Sequence, residues 1–371
     1  MATPLPVITV HGTPSERGES YGKQAAPLVA RAIAMYRREF ARMGIEWDEA
    51  LRLARLFMPS IEAYDAALAL EIEAIAMGAG ESVEAIVVLN ARTELAFWNE
   101  RERKDRGIAT GALVEVDECT SAVALPEATR DGRLIHAQNW DWLPECAEHS
   151  LALRIRGADV PDSLNFVEAG QLARHGFNAE GVAITAMGLH SNGDYGRIGI
   201  PNPLIRRKML ACDTLSRAIG VIYNSARSFS HNIMVSHPGG EAFGFETTPD
   251  GVYWLEPAEG IMTHANHFKS PQALQQVCDI NIARCPDTLC RDSRVRHLLA
   301  RRRGKITAET FREVFSDTFG TPNSVLRHPS PRPGGMLSAT VYTLIMDTAG
   351  LRAWVAPKPY EGATYTEYGL A

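Results

Sequence analysis

The 371-residue sequence has few lysines, at positions 23, 104, 208, 269, 305 and 358, within a total of 38 lysines and arginines. Acidic residues number 44, so the net charge is −6. Without a basic excess, nucleic acid is not expected as a main partner. No stretch approaches the ~18 uninterrupted apolar residues of a membrane-spanning helix. The opening residues lack a basic segment followed by an apolar core, so no signal peptide is expected and a cytoplasmic location is. The six cysteines, at 119, 146, 212, 278, 285 and 290, include no Cys-x-x-Cys pair. Zinc sites use such short pairs. Free thiols are therefore expected, with no metal and no organic cofactor. Gly239-Gly240 and Gly334-Gly335 do not fit a phosphate loop and read as turns. There is no internal repeat and no low-complexity tract.

What is present is an ordinary globular composition, 45% apolar and 22% charged. The first third reads as helical. From Tyr21, Ala25, Leu28, Val29, Ile33, Tyr36 and Phe40 recur in steps of three and four. Pro27 suggests a start near that point. Asp48 is placed to cap a second helix. A third runs from about Ser60 to the Gly78-Ala79-Gly80 breaker, and Ser82 caps a fourth from Val83 to about Trp98. The charged segment 101–107 reads as an exposed loop.

After residue 118 the period changes to two. Leu151, Leu153 and Ile155 alternate with Ala152, Arg154 and Arg156. Further strands are expected at 119–126, 133–142, 164–169, 181–188, 231–237, 241–247, 251–256, 260–266, 339–347 and 351–356. Helices are expected at about 204–226 and 307–318. Most strands are joined by hairpin-length turns, which make antiparallel sheets, and the helices must cover their outer faces.

The most informative stretch is Asp117-Glu118-Cys119-Thr120-Ser121, with Gln138-Asn139-Trp140-Asp141-Trp142 as its partner. Asp131-Gly132 between them signals a turn. If Pro126 and Arg133 flank that turn, Cys119 lies opposite Trp140, with Asp141 one step away. A thiol becomes a strong nucleophile once a base takes its proton. His136 is the histidine nearest in sequence. The α-amine of Cys119 is another base, if the chain is cut before it. Such an amine has an ordinary pKa of ~7.7–8.0, so part of it is neutral at pH 7.

The sequence resembles the fungal isopenicillin N acyltransferase family of N-terminal-nucleophile enzymes, also called the acyl-coenzyme A:6-aminopenicillanic acid acyltransferase family. The resemblance rests on stretches that keep the family's order. These are His11-Gly12-Thr13-Pro14, Leu89-Asn90-Ala91-Arg92-Thr93-Glu94, Cys119-Thr120 and Gln138-Asn139-Trp140-Asp141. They continue through Glu168-Ala169-Gly170, Gly176-Phe177-Asn178, Gly181-Val182-Ala183 and His264-Ala265-Asn266-His267. The resemblance implies an α+β fold, the αββα four-layer sandwich with antiparallel sheets, made as one domain over 1–371. It also implies self-cleavage between Glu118 and Cys119 into a helical chain, 1–118, and a strand-rich chain, 119–371. The matching nucleophile is Cys119, the helper aspartate is Asp141, and the side-chain amide of the oxyanion hole is that of Asn266.

Two departures stand out. Glu118 replaces the glycine that precedes the family's cleaved bond. Met336-Leu337 replaces a Ser-Arg pair, so the active-site arginine is absent or supplied by one such as Arg327, read here as a carboxylate binder. Trp140 reads as core or pocket wall. The expected activity is acyl transfer through a Cys119 thioester, most simply hydrolysis of a small N-acyl amide. An acyl-CoA-dependent N-acyltransferase and a non-catalytic binder of acylated small molecules remain the alternatives. A homo-oligomer is left open.

Overall fold

The computed structural model describes residues 3–107, 118–332 and 336–370. Asp117 and the Gly334-Gly335 turn lie outside the described residues.

The first helix, Pro14–Arg42, begins before Pro27 because Thr13 and Glu16 form a reciprocal capping box with Pro14 in the first turn. The next, Trp47–Tyr64, starts after Glu46 rather than after Asp48. It runs through Ser60 and ends where the Asp65 side chain accepts from the Ala67 and Leu68 amides to start Ala66–Ala79. Ser82 caps Val83–Asp105 as expected. That helix passes Trp98 and takes in most of the segment expected as a loop. Glu102 explains the extension: it accepts from Trp98 Nε1 at 3.1 Å and from Arg52 at 3.0 Å. A polar stretch is thereby tied to its neighbours without an apolar face.

Two sheets form the middle layers. The first runs, in spatial order, through Val7–Gly12, Ser150–Gly157, Ser163–Glu168, His175–Asn178, Ala183–Gly188, His231–His237, Glu241–Thr247 and Val252–Leu255. Its pairs are antiparallel except the first, where Val7–Gly12 lies parallel to Ser150–Gly157. The second runs through Ile261–His264, Glu118–Ala124, Ile135–Trp142, Leu337–Asp347, Arg352–Pro357 and Thr366–Gly369. The N-terminal helices cover the first sheet. Asp287–Ala300 and Ala308–Phe315 cover the second.

Alternation along Glu118–Ala124 decides what each side chain meets. Cys119 and Val123 join the core between the two sheets. Ala122 and Ala124 join the separate outer core beneath Phe311 and Phe315. This is the αββα sandwich expected from the sequence.

Gly176 is required by close approach. A Cβ built on it would lie 2.1 Å from the Leu164 carbonyl oxygen on the neighbouring strand, a backbone atom that cannot turn aside. Gly176→Ala is therefore expected to lower the melting temperature clearly, as overpacking of a dense interior does. An unchanged melting curve would show that the strands can separate there at no cost.

Candidate active site

Cys119 is fully buried and lies opposite Trp140, while Glu118 lies opposite Asp141. That is the register expected from the turn at Asp131-Gly132. Ile261–His264 pairs with the far part of the Cys119 strand and stops at the His264↔Ser121 pair. Beyond it, two side chains continue the ladder. Asn266 Oδ1 accepts from the Cys119 amide at 2.8 Å, and the Arg291 guanidinium donates to the Cys119 carbonyl at 2.5 Å. Arg291 also donates to Thr120 Oγ1 at 2.8 Å and to Asn266 Oδ1 at 3.1 Å.

Asn266 is held firmly. Its side-chain amide donates to the Gly188 carbonyl at 2.9 Å, and its backbone amide to Thr288 Oγ1 at 2.7 Å. Asn281 donates to its carbonyl at 2.6 Å.

On the other face of the strand, Glu118 and Asp141 meet a buried cluster of charges. Arg327 is completely buried; its Nη2 lies 2.6 Å from both Glu118 and Asp287. Its Nε lies 3.7 Å from Asp141 Oδ2, and its Nη1 has no hydrogen-bond acceptor among the described residues. Arg332 is a second partner of Glu118. Asp287 also accepts from Arg291 Nε at 3.0 Å. Thr340 Oγ1 donates to Asp141 at 2.7 Å. Burial raises the Asp141 carboxyl above its ordinary range, against the pull of Arg291 and Thr340 and with the Glu118 carboxylate adding to it.

The expected residues are thus brought together, but on two faces. Cys119 and Trp140 look between the sheets; Glu118, Asp141 and Arg327 look toward the outer helices. Arg291 and Arg332 were missed. Arg291 belongs to the helix Asp287–Ala300, which was not foreseen from the sequence. Its signal was the Asp287–Arg291 pair one helical turn apart.

His136 and Asn139, both on the partner strand, are engaged elsewhere. His136 pairs with Val123, roughly 13 Å along the strand from Cys119 at ~3.3 Å per residue. It is buried between Ser236 Oγ and Thr185 Oγ1 at 2.8 and 2.7 Å, and burial pushes its pKa down to about 3. The Asn139 side chain donates to the Phe315 and Val325 carbonyls at 2.9 and 2.8 Å and accepts from Thr343 at 2.6 Å. It ties the sheet to the outer helical layer, on the face away from the thiol.

A polar cleft opens beside the thiol's face. Asn90, Arg92, Glu94, Arg174, Arg206 and His231 are among its lining residues, and Gly188 joins it to Asn266. Arg174 stacks over Trp140, 3.8 Å from the ring centroid. The buried Trp140 Nε1 has no acceptor among the described residues. A second, more apolar hollow shares Arg92 and Thr93 with the first and is lined by Tyr36, Phe40, Ala96 and Trp142.

One buried group has the composition of a metal site. Ligand atoms of Cys146, His149 and Glu168 lie within 4.8 Å of one another. Yet Glu168 is already paired with Arg92 at 3.1 Å and Arg174 at 3.5 Å. Two guanidinium cations at its carboxylate oppose a third cation there, so the group reads as an ion-pair network.

No helix among the described residues is long and apolar enough to cross a membrane. The profile of the acyl-coenzyme A:6-aminopenicillanic acid acyl-transferase family matches residues 128–357. The acyl-coenzyme A:6-aminopenicillanic-acid-acyltransferase 40 kDa form of Emericella nidulans is 29% identical over 358 residues, spanning 94% of this chain and 91% of the relative. Among solved structures, a variant of the conjugated bile acid hydrolase of Clostridium perfringens aligns with a TM-score of 0.50 at 13% identity, over 68% of this chain and 92% of that one. Penicillin V acylase from Agrobacterium tumefaciens aligns at 0.41 and 12%, over 67% and 84%. The fold is that of the N-terminal-nucleophile hydrolases, the chain is an enzyme of acyl transfer, and it belongs to the acyl-coenzyme A:6-aminopenicillanic acid acyl-transferase family.

Proposed function

We propose that the chain cuts itself between Glu118 and Cys119, and that the processed enzyme, built of 1–118 and 119–371, hydrolyses a small N-acyl amide through a Cys119 thioester. The observation that carries this reading is the bracketing of Cys119. Asn266 Oδ1 holds its nitrogen at 2.8 Å and Arg291 its carbonyl at 2.5 Å. A freed α-amine would stay where the peptide nitrogen now lies. The Arg291 cation beside it disfavours a second positive charge, so it favours the neutral amine that can act as base.

The amine takes the Sγ proton, and the thiolate attacks the acyl carbonyl. Asn266 and a backbone amide stabilise the oxyanion. The carbon–nitrogen bond breaks, the leaving amine takes the proton, and water cleaves the thioester. Asp141 supports the self-cleavage step from beside Glu118. Arg327 and Trp140 contact substrate.

Transfer to an amine instead of water is the second reading, favoured by the acyltransferase name of the Emericella nidulans relative. Its acyl donor would be an acyl-CoA. Product analysis with an N-acyl amide, with and without a competing amine, separates the two. Amine-independent release of the free acid supports hydrolysis.

Alkylation gives an independent check. Cys278 and Cys290 are exposed, whereas Cys119 is buried in the uncleaved chain. Iodoacetamide is expected to label the exposed pair whether or not the chain is cut. Peptide mapping should find Cys119 labelled only in cut protein, in step with loss of activity. Inactivation that tracks labelling of Cys278 or Cys290, with Cys119 untouched, would overturn the assignment.

A further inference from the structure

We infer that Arg327 and Arg332 form an acyl-side anion subsite, which Glu118 fills in the uncut chain, and that the enzyme takes amides or thioesters whose acyl group ends in a carboxylate at glutaryl spacing. This rests on the self-cleavage reading above and names the substrate class of that same site.

In self-cleavage, the thiol attacks the Glu118 carbonyl, the peptide nitrogen leaves as the α-amine, and water then releases the Glu118 acid. Glu118 is therefore the first acyl group the site handles. From its scissile carbonyl through Cα, Cβ and Cγ to its carboxylate, it has the carbon skeleton of a glutaryl group.

Its carboxylate is gripped by Arg327 at 2.6 Å and by Arg332. These arginine side chains are 0% and 9% exposed. Arg327 also keeps Asp287 and faces Asp141, and the Cys285 thiol lies beside Glu118. Arg332 has Glu118 as its carboxylate partner. When Glu118 withdraws, Arg327 keeps Asp287 but the nearly buried Arg332 loses its carboxylate partner. A buried charge stripped of its partner is strongly disfavoured. A substrate carboxylate at the same distance from the thioester carbonyl restores the pairing. A residue without a side-chain carboxylate before the cut would leave no such occupant, so Glu118 and the two arginines point to the same ligand.

Two measurements on the full chain test this. The first needs neither cleavage nor turnover. Propionate, which matches the Cβ–Cγ–carboxylate end that a glycine leaves off, is titrated calorimetrically into uncleavable Cys119→Ala and into Glu118→Gly/Cys119→Ala. Binding is expected only in the double variant, where the cradle is vacant, and is expected to vanish when Arg332→Ala is added. Equal binding to both chains, or binding to neither, overturns the inference. Should that variant fold poorly, Glu118→Ala/Cys119→Ala titrated with acetate keeps the test on an uncut chain.

The second measurement compares N-glutaryl and N-pentanoyl para-nitroanilides on processed enzyme. The kcat/KM ratio should favour glutaryl by ~10-fold or more, the scale of a charge-assisted hydrogen bond. Arg332→Ala should collapse that ratio. Equal rates on the two anilides overturn the subsite while leaving the acyl-transfer reading intact. Propionate binding that Arg332→Ala abolishes, without turnover of any anilide, supports the subsite and counts against the hydrolase reading alone.

Discussion

Wild-type protein should separate by intact mass into chains of 118 and 253 residues (371 − 118 = 253), whereas Cys119→Ala should remain one chain and be inactive. Alanine has no atom that can attack the Glu118 carbonyl. Cys119→Ser keeps a nucleophile but loses the more acidic, more nucleophilic sulfur. It should process slowly or not at all, and turnover should fall by at least ~10²-fold. The structure sharpens the alternatives. His136 is engaged by two hydroxyls, far along the strand, and its low pKa reflects burial. Wild-type protein that stays intact yet turns over substrate would remove the α-amine base, and His136 could not replace it. Glu118 bears on the rate. Its carboxylate is neutralised by Arg327 and Arg332, so its charge does not repel an oxyanion forming on its own carbonyl. Glu118→Gln would weaken that grip while keeping the shape, and a slower cut by mass spectrometry is the expected result.

Local signals carried many of the strands and the hairpin at Cys119, while the four-layer arrangement and the roles expected of Cys119, Asp141 and Asn266 came with the family resemblance. Alternation gave the strands 231–237 and 241–247 at the bounds observed. The Asp131-Gly132 turn fixed the Cys119↔Trp140 register, because hairpin pairing follows from turn length. What stayed hidden was set at a distance. The strand Val7–Gly12 is an edge strand parallel to Ser150–Gly157, and parallel pairing leaves no hairpin mark. Segment 101–105 shows no apolar periodicity and is helical through pairs such as Arg52–Glu102. The electrostatic half of the site was equally opaque. Arg291 and Arg332 are remote in sequence from Cys119 and resemble any other arginine until the chain brings them to it. Asp141 was found next to Cys119 in register, but the pleat sends its side chain to the opposite face, where it meets Arg327 instead of the thiol.

Asn266→Ala should cut kcat more than it raises KM, because the side chain acts on charge that develops during reaction. Loss of one oxyanion donor typically costs ~10²–10³ in kcat, about 2.7–4 kcal/mol. Asn266 also accepts from the Cys119 nitrogen, so the variant loses the orientation of the base as well. The measurement requires protein shown to be cut and to melt normally, since Asn266 also bonds to Gly188, Thr288 and Asn281. Asn266→Asp should be worse, and the pH profile tells why. A carboxylate beside the α-amine stabilises its protonated form and raises its pKa from the ordinary ~7.7–8.0. The amine works as a base only when neutral, so activity appears above that pKa and is lost as the pH falls through it. Raising the pKa therefore moves the acid limb of kcat/KM to higher pH. Asn266→Ala, which adds no charge, should leave the limb nearer its wild-type position while lowering the plateau. If Asn266→Asp loses activity with no shift of the acid limb, the asparagine does not act on the base, and the oxyanion role alone explains the loss. A cut, folded Asn266→Ala enzyme with near wild-type kcat removes both roles. Asn139 could not then take over, because its amide is spent on the Phe315 and Val325 carbonyls on the far face of the sheet.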